Sequence, residues 1–487
     1  MGALMKKAKK ISGFTIVELM VSMAISLVIL GALVSLFVST SRVSSEMAKV
    51  SGLIENGRFA VQIIESDLVH AGYWGGYVPQ FDDLGSVGVP NDVPTAVPNP
   101  CTTYANWDRN FRINLMGIPV QAWGATMPSG AGCAAFPAKR AGTDTLLVRH
   151  ADMCIAGSAN CPQVAGRLYF QSPLCDTQRN AAALQQVASV DAAFNPNNIV
   201  FTPASSSSTD DAYVGMMLRT SGGTGAGQYR LITDYDGSSR TAAISPNWSP
   251  APSVDIYSNP TTYSFEYLLR PAASATEVFP LRQGNCLTAA PMRRYISNIY
   301  YVTDASHPDR PGETIPTLVR SQFDGSSGAV QQAPEMLVEG IEQFRIELGI
   351  DDTMTRCSPA TAVNYGAARS NVEPSTCTSN AGNSYANTLP INRGDGAPDR
   401  YKRCTDANPC TAQELANTVS VRIYVLARSR DQTPAYTDAK SYCLGELSGA
   451  GTCPAESLVP AANDHYTRHV FASTVRLVNV SARRETP

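Results

Sequence analysis

The sequence predicts an α+β fold in which a long N-terminal helix packs on an antiparallel β-sheet, with disulfide-bearing insertions around it. Three observations predict it. All 32 prolines fall from Pro79 onward. Proline inside a helix removes a backbone donor and clashes with the preceding turn, so the first 78 residues are free to run as one helix. Beyond them, Tyr295 to Thr303, Thr317 to Phe323, Ile341 to Ile350, Val419 to Ala427 and Val470 to Val480 are rich in β-branched and aromatic residues, as strands are. Finally, the 12 cysteines include no CxxC pair, which argues against zinc ribbons and thioredoxin chemistry and for disulfides.

The remaining composition sets the class. With 487 residues, 44% apolar and 16% charged, the chain is long enough for a sizeable core and poorer in charge than the roughly 25% of a typical domain. That pattern excludes a disordered tail, a collagen and a coiled coil. A net charge of −3 argues against nucleic acid as a partner, because counterion release needs a basic surface.

The N-terminal helix divides into two halves. Residues 1 to 13 carry Lys6, Lys7, Lys9 and Lys10 and no acid, and Phe14 to Val38 follow with Glu18 as the only charge. Twenty-five helical residues rise about 37 Å, more than the roughly 30 Å hydrocarbon core of a bilayer. An ordinary secretory signal has a shorter apolar run with small residues after it, whereas here Ser12-Gly13 precede the run. The lysine bias keeps the N-terminus cytoplasmic and exports the rest, in accord with paired cysteines and with short loops such as Cys154 to Cys161, Cys404 to Cys410 and Cys443 to Cys453. Past the membrane, Val43, Met47, Val50, Ile54, Gly57, Val61, Ile64 and Leu68 draw one helical stripe to about residue 70. A sheet in the same chain is the expected cover for that stripe.

The run Gly13-Phe14-Thr15-Ile16-Val17-Glu18-Leu19 resembles the class III signal of type IV prepilins and pseudopilins. The resemblance implies cleavage by a prepilin peptidase between Gly13 and Phe14, N-methylation of the Phe14 amine, and an assembly role for Glu18. A carboxylate in an apolar span costs about 2.5 to 3.5 kcal/mol. The partner expected for Glu18 is the Phe14 ammonium of a neighbouring subunit. The implied domains are a leader at 1–13, a helix at 14–70 that is transmembrane over 14–38, and an extracytoplasmic domain at 71–487.

Further blocks resemble the PilW-like minor pilins: Glu55 to Ala60 with Ala71-Gly72-Tyr73, Gly142 to Arg149, Leu337 to Asp351 as a central strand, Ser420 to Ser429 and Val470 to Asn479. Insertions are expected near 80 to 142, 151 to 260, 353 to 392 and 430 to 465. One of them carries a hairpin signal, Asp236-Gly237 between Gln228 to Thr233 and Thr241 to Ile244. The resemblance makes the fold type IV pilin-like and the function priming of pilus assembly within a tip complex that presents an adhesin. Implied partners are other minor pilins, the major pilin, a PilY-type tip adhesin, prepilin peptidase and the inner membrane. The protein would stand in that membrane with a periplasmic domain before assembly and at the extracellular pilus tip after it. The alternatives are a type II secretion pseudopilin and a pilus-associated adhesin that binds ligand through its insertions.

No GxSxG, HExxH or Walker A sequence occurs, and the five histidines are scattered, so no enzymatic activity and no cofactor are expected. The glycine-rich Gly223 to Gly227 precedes a strand, where a phosphate site needs a helix N-terminus, and reads as a hairpin loop. Asn392, Asp395 and Asp399 offer oxygens at near-alternate positions, as calcium loops do, without the terminal glutamate of an EF-hand. An Asx-stabilised turn is the preferred reading over calcium there. The stretch Gly394 to Tyr401 resembles the family's Asp/Gly loop, displaced from Asp351 by the insertion between them.

Overall fold

Fifty-three residues of the apolar and amphipathic N-terminal segment form one continuous helix, α1 (Ile16–Leu68). It belongs to a computed structural model that describes residues 13, 15–83, 89–133, 136–179, 197–201, 206–252, 261–307, 312–324, 330–354, 361–366, 394–434, 436–449 and 451–485. Short helices α2 (Arg109–Gly117), α3 (Asp176–Arg179), α4 (Ala412–Ala416) and α5 (Val478–Ser481), with brief 3-10 turns, punctuate described residues that are otherwise strand and loop.

The strands form two main sheets, antiparallel throughout. The larger has the order β1 (Val120–Trp123), β2 (Thr145–Ile155), β9 (Arg293–Ser306), β3 (Leu168–Gln171), β8 (Thr262–Pro271), β5 (Met216–Gly222), β6 (Tyr229–Asp236), β7 (Thr241–Ser245) and β4 (Asn198–Val200). Strands β10 (Thr314–Asp324), β11 (Val330–Gln331) and β12 (Glu335–Glu339) join it through β9. The smaller has the order β16 (Arg400–Lys402), β13 (Ile341–Ile350), β17 (Thr418–Arg428) and β20 (Arg468–Arg476). Two small hairpins, β14 (Thr353–Met354) with β15 (Thr361–Ala362) and β18 (Tyr442–Cys443) with β19 (Leu458–Val459), complete the set.

The C-terminal half of α1 lies on the smaller sheet. Leu53, Gly57, Ala60, Val61, Ile64 and Leu68 are buried, in one core with Phe344, Ile346, Leu348 and Ile350 of β13 and Val421, Ile423 and Val425 of β17. Alternate residues of each strand enter that core, as the two-residue period of a strand requires. Gly57 is what lets β20 come close, since a Cβ there would lie 2.0 Å from the Phe471 ring. The expected stripe is only half covered. Gly57, Val61, Ile64 and Leu68 are buried, but Val43, Met47 and Val50 remain exposed, because the sheet reaches up the helix only as far as Leu53.

The predicted central strand, Leu337 to Asp351, is two strands in two sheets. Gly340 takes a φ of +80°, and the chain passes there from β12, paired with β10, to β13, paired with β17. A side chain at Gly340 would meet the Arg428 carbonyl at 2.7 Å, so the crossing needs glycine for both φ and space. Likewise Val470 to Val480 is strand only to Arg476; α5 follows, and Asn479 on it donates to the carbonyls of Val69 and Ala71 beyond the end of α1.

The described parts of the 151 to 260 and 430 to 465 insertions belong to the fold and are not appendages, whereas most of 353 to 392 lies outside the described residues. Strands β3 to β7, within 151 to 260, extend the larger sheet and enclose a second aromatic core around Tyr213, Phe265 and Trp248. The Asp236-Gly237 signal does mark the β6–β7 hairpin, as a longer loop in which Asp236 Oδ1 accepts the N–H groups of Ser238 and Ser239 and Arg240 has a φ of 58°. Gly223 to Gly227 is the β5–β6 hairpin loop. The 430–465 segment covers the polar face of β13: Glu347 accepts from the Glu446 N–H, and Arg345 donates to the Glu456 carbonyl. Ten described cysteines form five disulfides, Cys101–Cys133, Cys154–Cys161, Cys175–Cys286, Cys404–Cys410 and Cys443–Cys453. Cys357 and Cys377 lie outside the described residues.

Candidate functional site

The candidate site is the long helix and the groups that hold it. At its start, Thr15 and Glu18 form a reciprocal capping box. Thr15 Oγ1 accepts the Glu18 N–H at 3.3 Å, and Glu18 Oε2 accepts the Thr15 N–H and hydroxyl, both at 3.0 Å. Two of the four N–H donors that a helix N-terminus leaves open are thereby satisfied. In the single chain the Glu18 carboxylate thus has a partner of its own, beside the point where the class III motif places the scissile bond. Gly13 is exposed, with open space where a Cβ would stand, and Phe14 lies outside the described residues. From Ile16 to Val38 the large apolar side chains of α1 are exposed, and the helix is long and apolar enough to cross a membrane.

Near its other end, α1 carries a buried acid that the apolar stripe does not announce. Asp67 Oδ1 meets His150 Nε2 of β2 at 2.8 Å, while Oδ2 accepts from Asn298 Nδ2 at 2.9 Å and the Tyr300 hydroxyl at 3.0 Å, both on β9. One carboxylate thus ties α1 to the larger sheet. His150 Nδ1 lies 2.9 Å from the Ala151 carbonyl. Both ring nitrogens therefore face groups that only accept, which the doubly protonated imidazolium alone satisfies. Burial works against that charge, but the hydrogen bond to Asp67, its field and the Ala151 carbonyl outweigh it and raise the His150 pKa above 6.5. The His70 ring, 5.6 Å away, and Asp152 are its other titratable neighbours.

A raised histidine pKa stabilises the fold fully below its unfolded value and loses that contribution as pH rises through the folded value. The denaturation midpoint of the wild-type chain should therefore fall more steeply as pH rises above about 6.5 than that of His150→Gln. Parallel pH profiles for the two proteins would remove the imidazolium from the account.

The third element closes the far side of the smaller sheet. Asp351, at the end of β13, is fully buried, and its oxygens accept the N–H groups of Asp395 at 3.1 Å and Gly396 at 2.9 Å. The Asp/Gly loop therefore returns to the aspartate from which the insertion separates it. Gly394 makes the approach possible, since a Cβ would lie 1.9 Å from Asp351 Oδ1. The carboxyl is pushed up to about 6 by burial, against the pull of Arg484 and the two N–H donors. Arg484, buried close to the C-terminus, donates from Nε to Asp82 at 3.0 Å, from Nη2 to the Ala416 carbonyl at 2.8 Å and from Nη1 to Asn417 at 3.1 Å, with Asp351 Oδ2 at 3.5 Å.

Of the calcium candidates, Asp395 Oδ1 accepts the Ala397 N–H, the geometry of an Asx turn, and Asp399 Oδ2 accepts the N–H groups of Asp352 and Thr353. Asn392 lies outside the described residues. Sequence reasoning missed Asp67, His150 and Arg484. The one available signal was Asp67 itself, a charge three residues after Ile64 on the stripe's own face.

None of the curated proteins matches the chain. In structure it is similar to a type IV-like pilin from Thermus thermophilus at 13% identity, over 38% of this chain and 68% of that one, with a TM-score of 0.18. Residues 8–34 match the prokaryotic N-terminal methylation motif, and residues 299–479 match the type IV pilus-assembly protein W family. The chain is thus prepilin-like at its N-terminus and PilW-like across the strands that seat its long helix.

Proposed function

We propose that this protein is a minor pilin that primes type IV pilus assembly and takes its place in the tip complex that presents an adhesin. One observation carries the reading. The residues that match the PilW family, 299–479, contain β13, β17 and β20, the strands on which α1 packs, and α1 begins within the methylation motif. A membrane helix and the sheet that carries it are joined in one chain, so whatever draws the helix out of the bilayer moves the whole domain with it.

The leader 1–13 would be removed by prepilin peptidase, the new Phe14 amine methylated, and the helix handed from the inner membrane to the fibre beside other minor pilins and the major pilin. Glu18 would then exchange its Thr15 partner for the Phe14 ammonium of a neighbour, which sets the register. The exposed Val43, Met47 and Val50 would be covered by neighbouring helices. Mass spectrometry of membrane-extracted protein tests the first step. The mature chain should begin at a methylated Phe14; a chain that still begins at Met1 in a strain with active prepilin peptidase would refute the reading.

A further inference from the structure

Strands β3 and β10 share one edge of β9, because β2 occupies the other from Arg293 to Tyr300. Along the shared edge β10 is registered on Asn298 to Ser306, and β3 on Arg293 and Arg294. Between them, at Tyr295 to Ser297, the sheet forks, and a crevice of about 210 Å³ opens there.

Three guanidinium groups from three segments line the fork: Arg167 ahead of β3, Arg294 on β9 and Arg320 on β10. Only two acids, Asp324 and Glu335, line it with them. The three arginines are not held alike. Arg320 is anchored, with Nε 2.7 Å from Glu335, and the Gln322 amide oxygen, turned toward it, accepts at 3.0 and 3.1 Å. Arg167 reaches Asp324 at 3.3 Å and Arg294 reaches Asp152 at 3.4 Å, beyond the usual length of an N–H···O bond. The Nε atoms of both are buried with no partner among the described residues. A guanidinium has five donors in a rigid fork suited to oxyanions, and here two such groups line one crevice with their ion pairs stretched, Arg167 to an acid of the lining and Arg294 to Asp152 outside it.

We propose that this fork binds the oxyanion of a small acidic ligand, gripped by Arg167 and Arg294 with Arg320 fixed behind them. The volume lies below the roughly 300 to 1,000 Å³ of sites for drug-sized molecules, so the occupant is a single acidic group or an acidic monosaccharide. A carboxylate and a phosphate both meet this chemistry, and two probes tell them apart.

Calorimetric titration of the detergent-solubilised full chain with glucuronate, inorganic phosphate and glucose is the test. Saturable binding of glucuronate assigns a carboxylate, and binding of phosphate alone assigns a phosphoryl group. In either case Arg167→Gln and Arg294→Gln should each weaken binding about tenfold or more, the scale of one charge-assisted hydrogen bond, with melting temperatures close to wild type. Both arginines lie at the surface end of long contacts, and if one variant unfolds the other still reads the site. Glucose should not bind. Absence of binding by both acids, equal binding by glucose, or affinities unchanged in the folded variants would each overturn the site.

Discussion

Replacing Glu18 by Ala should abolish surface pili while the protein accumulates normally in the membrane. An apolar residue costs less in the bilayer than a carboxylate, so insertion is eased, and every contact of the folded domain lies more than 25 residues away along α1. The capping box supplies a sharper variant. Glutamine at the same position can still accept the Thr15 N–H and keep the reciprocal bonds to Thr15, but it carries no charge to pair with an ammonium. If Glu18 acts by pairing with the Phe14 amine of a neighbour, Glu18→Gln should be as bald as Glu18→Ala. If it acts only by capping α1, Glu18→Gln should be piliated like the wild type. Pilus counts by electron microscopy, with immunoblots for accumulation, separate the two, and normal piliation in Glu18→Ala would end the priming role.

What could be read from the amino acids, and what could not, follows from the range of the interactions. Helix α1 was legible because proline absence, apolar run and stripe are all local. The strands of the smaller sheet were legible because their alternation is local too, and three disulfides were foreseen as short loops. The exceptions share a cause. The passage at Gly340 depends on the Arg428 carbonyl 88 residues away, so no local pattern distinguishes it from a glycine inside one long strand. The stripe gave no sign that its upper third stays bare, since that depends on where the sheet ends. Strands β3 to β7 looked like an insertion from their place in the chain, and it is the pairing of β3 with β9 that makes them part of the larger sheet. At the candidate site, Glu18 and its motif stood out in the sequence, whereas Asp67, His150 and Arg484 acquire meaning only from partners on other elements.

Arg484 is where loss of one side chain should cost the fold most. It is the buried cation between Asp82 and Asp351, and it also serves the Ala416 carbonyl and the Asn417 side chain. Arg484→Met keeps much of the volume and leaves two carboxylates facing each other without their cation. Removing one partner of a buried ion pair costs about 3 to 5 kcal/mol. The variant should therefore lose a large share of the 5 to 15 kcal/mol typical of a domain, read as a shift in the denaturant midpoint with an unchanged slope. The loss should also depend on pH. Asp351 is already raised to about 6 with the arginine present, and without it the folded-state pKa must rise further, since the arginine is what lowers it. A folded pKa above the unfolded one removes stability as pH rises. The deficit of Arg484→Met should consequently be larger at pH 8 than at pH 5, and Asp351→Asn in the same background should recover part of it at pH 8. Gly394→Ala reaches the same carboxylate from the loop side, through a Cβ placed 1.9 Å from Asp351 Oδ1, and should be destabilised as well. A deficit in Arg484→Met that is equal at the two pH values would mean that the arginine acts by packing alone and that the C-terminus is not held by charge.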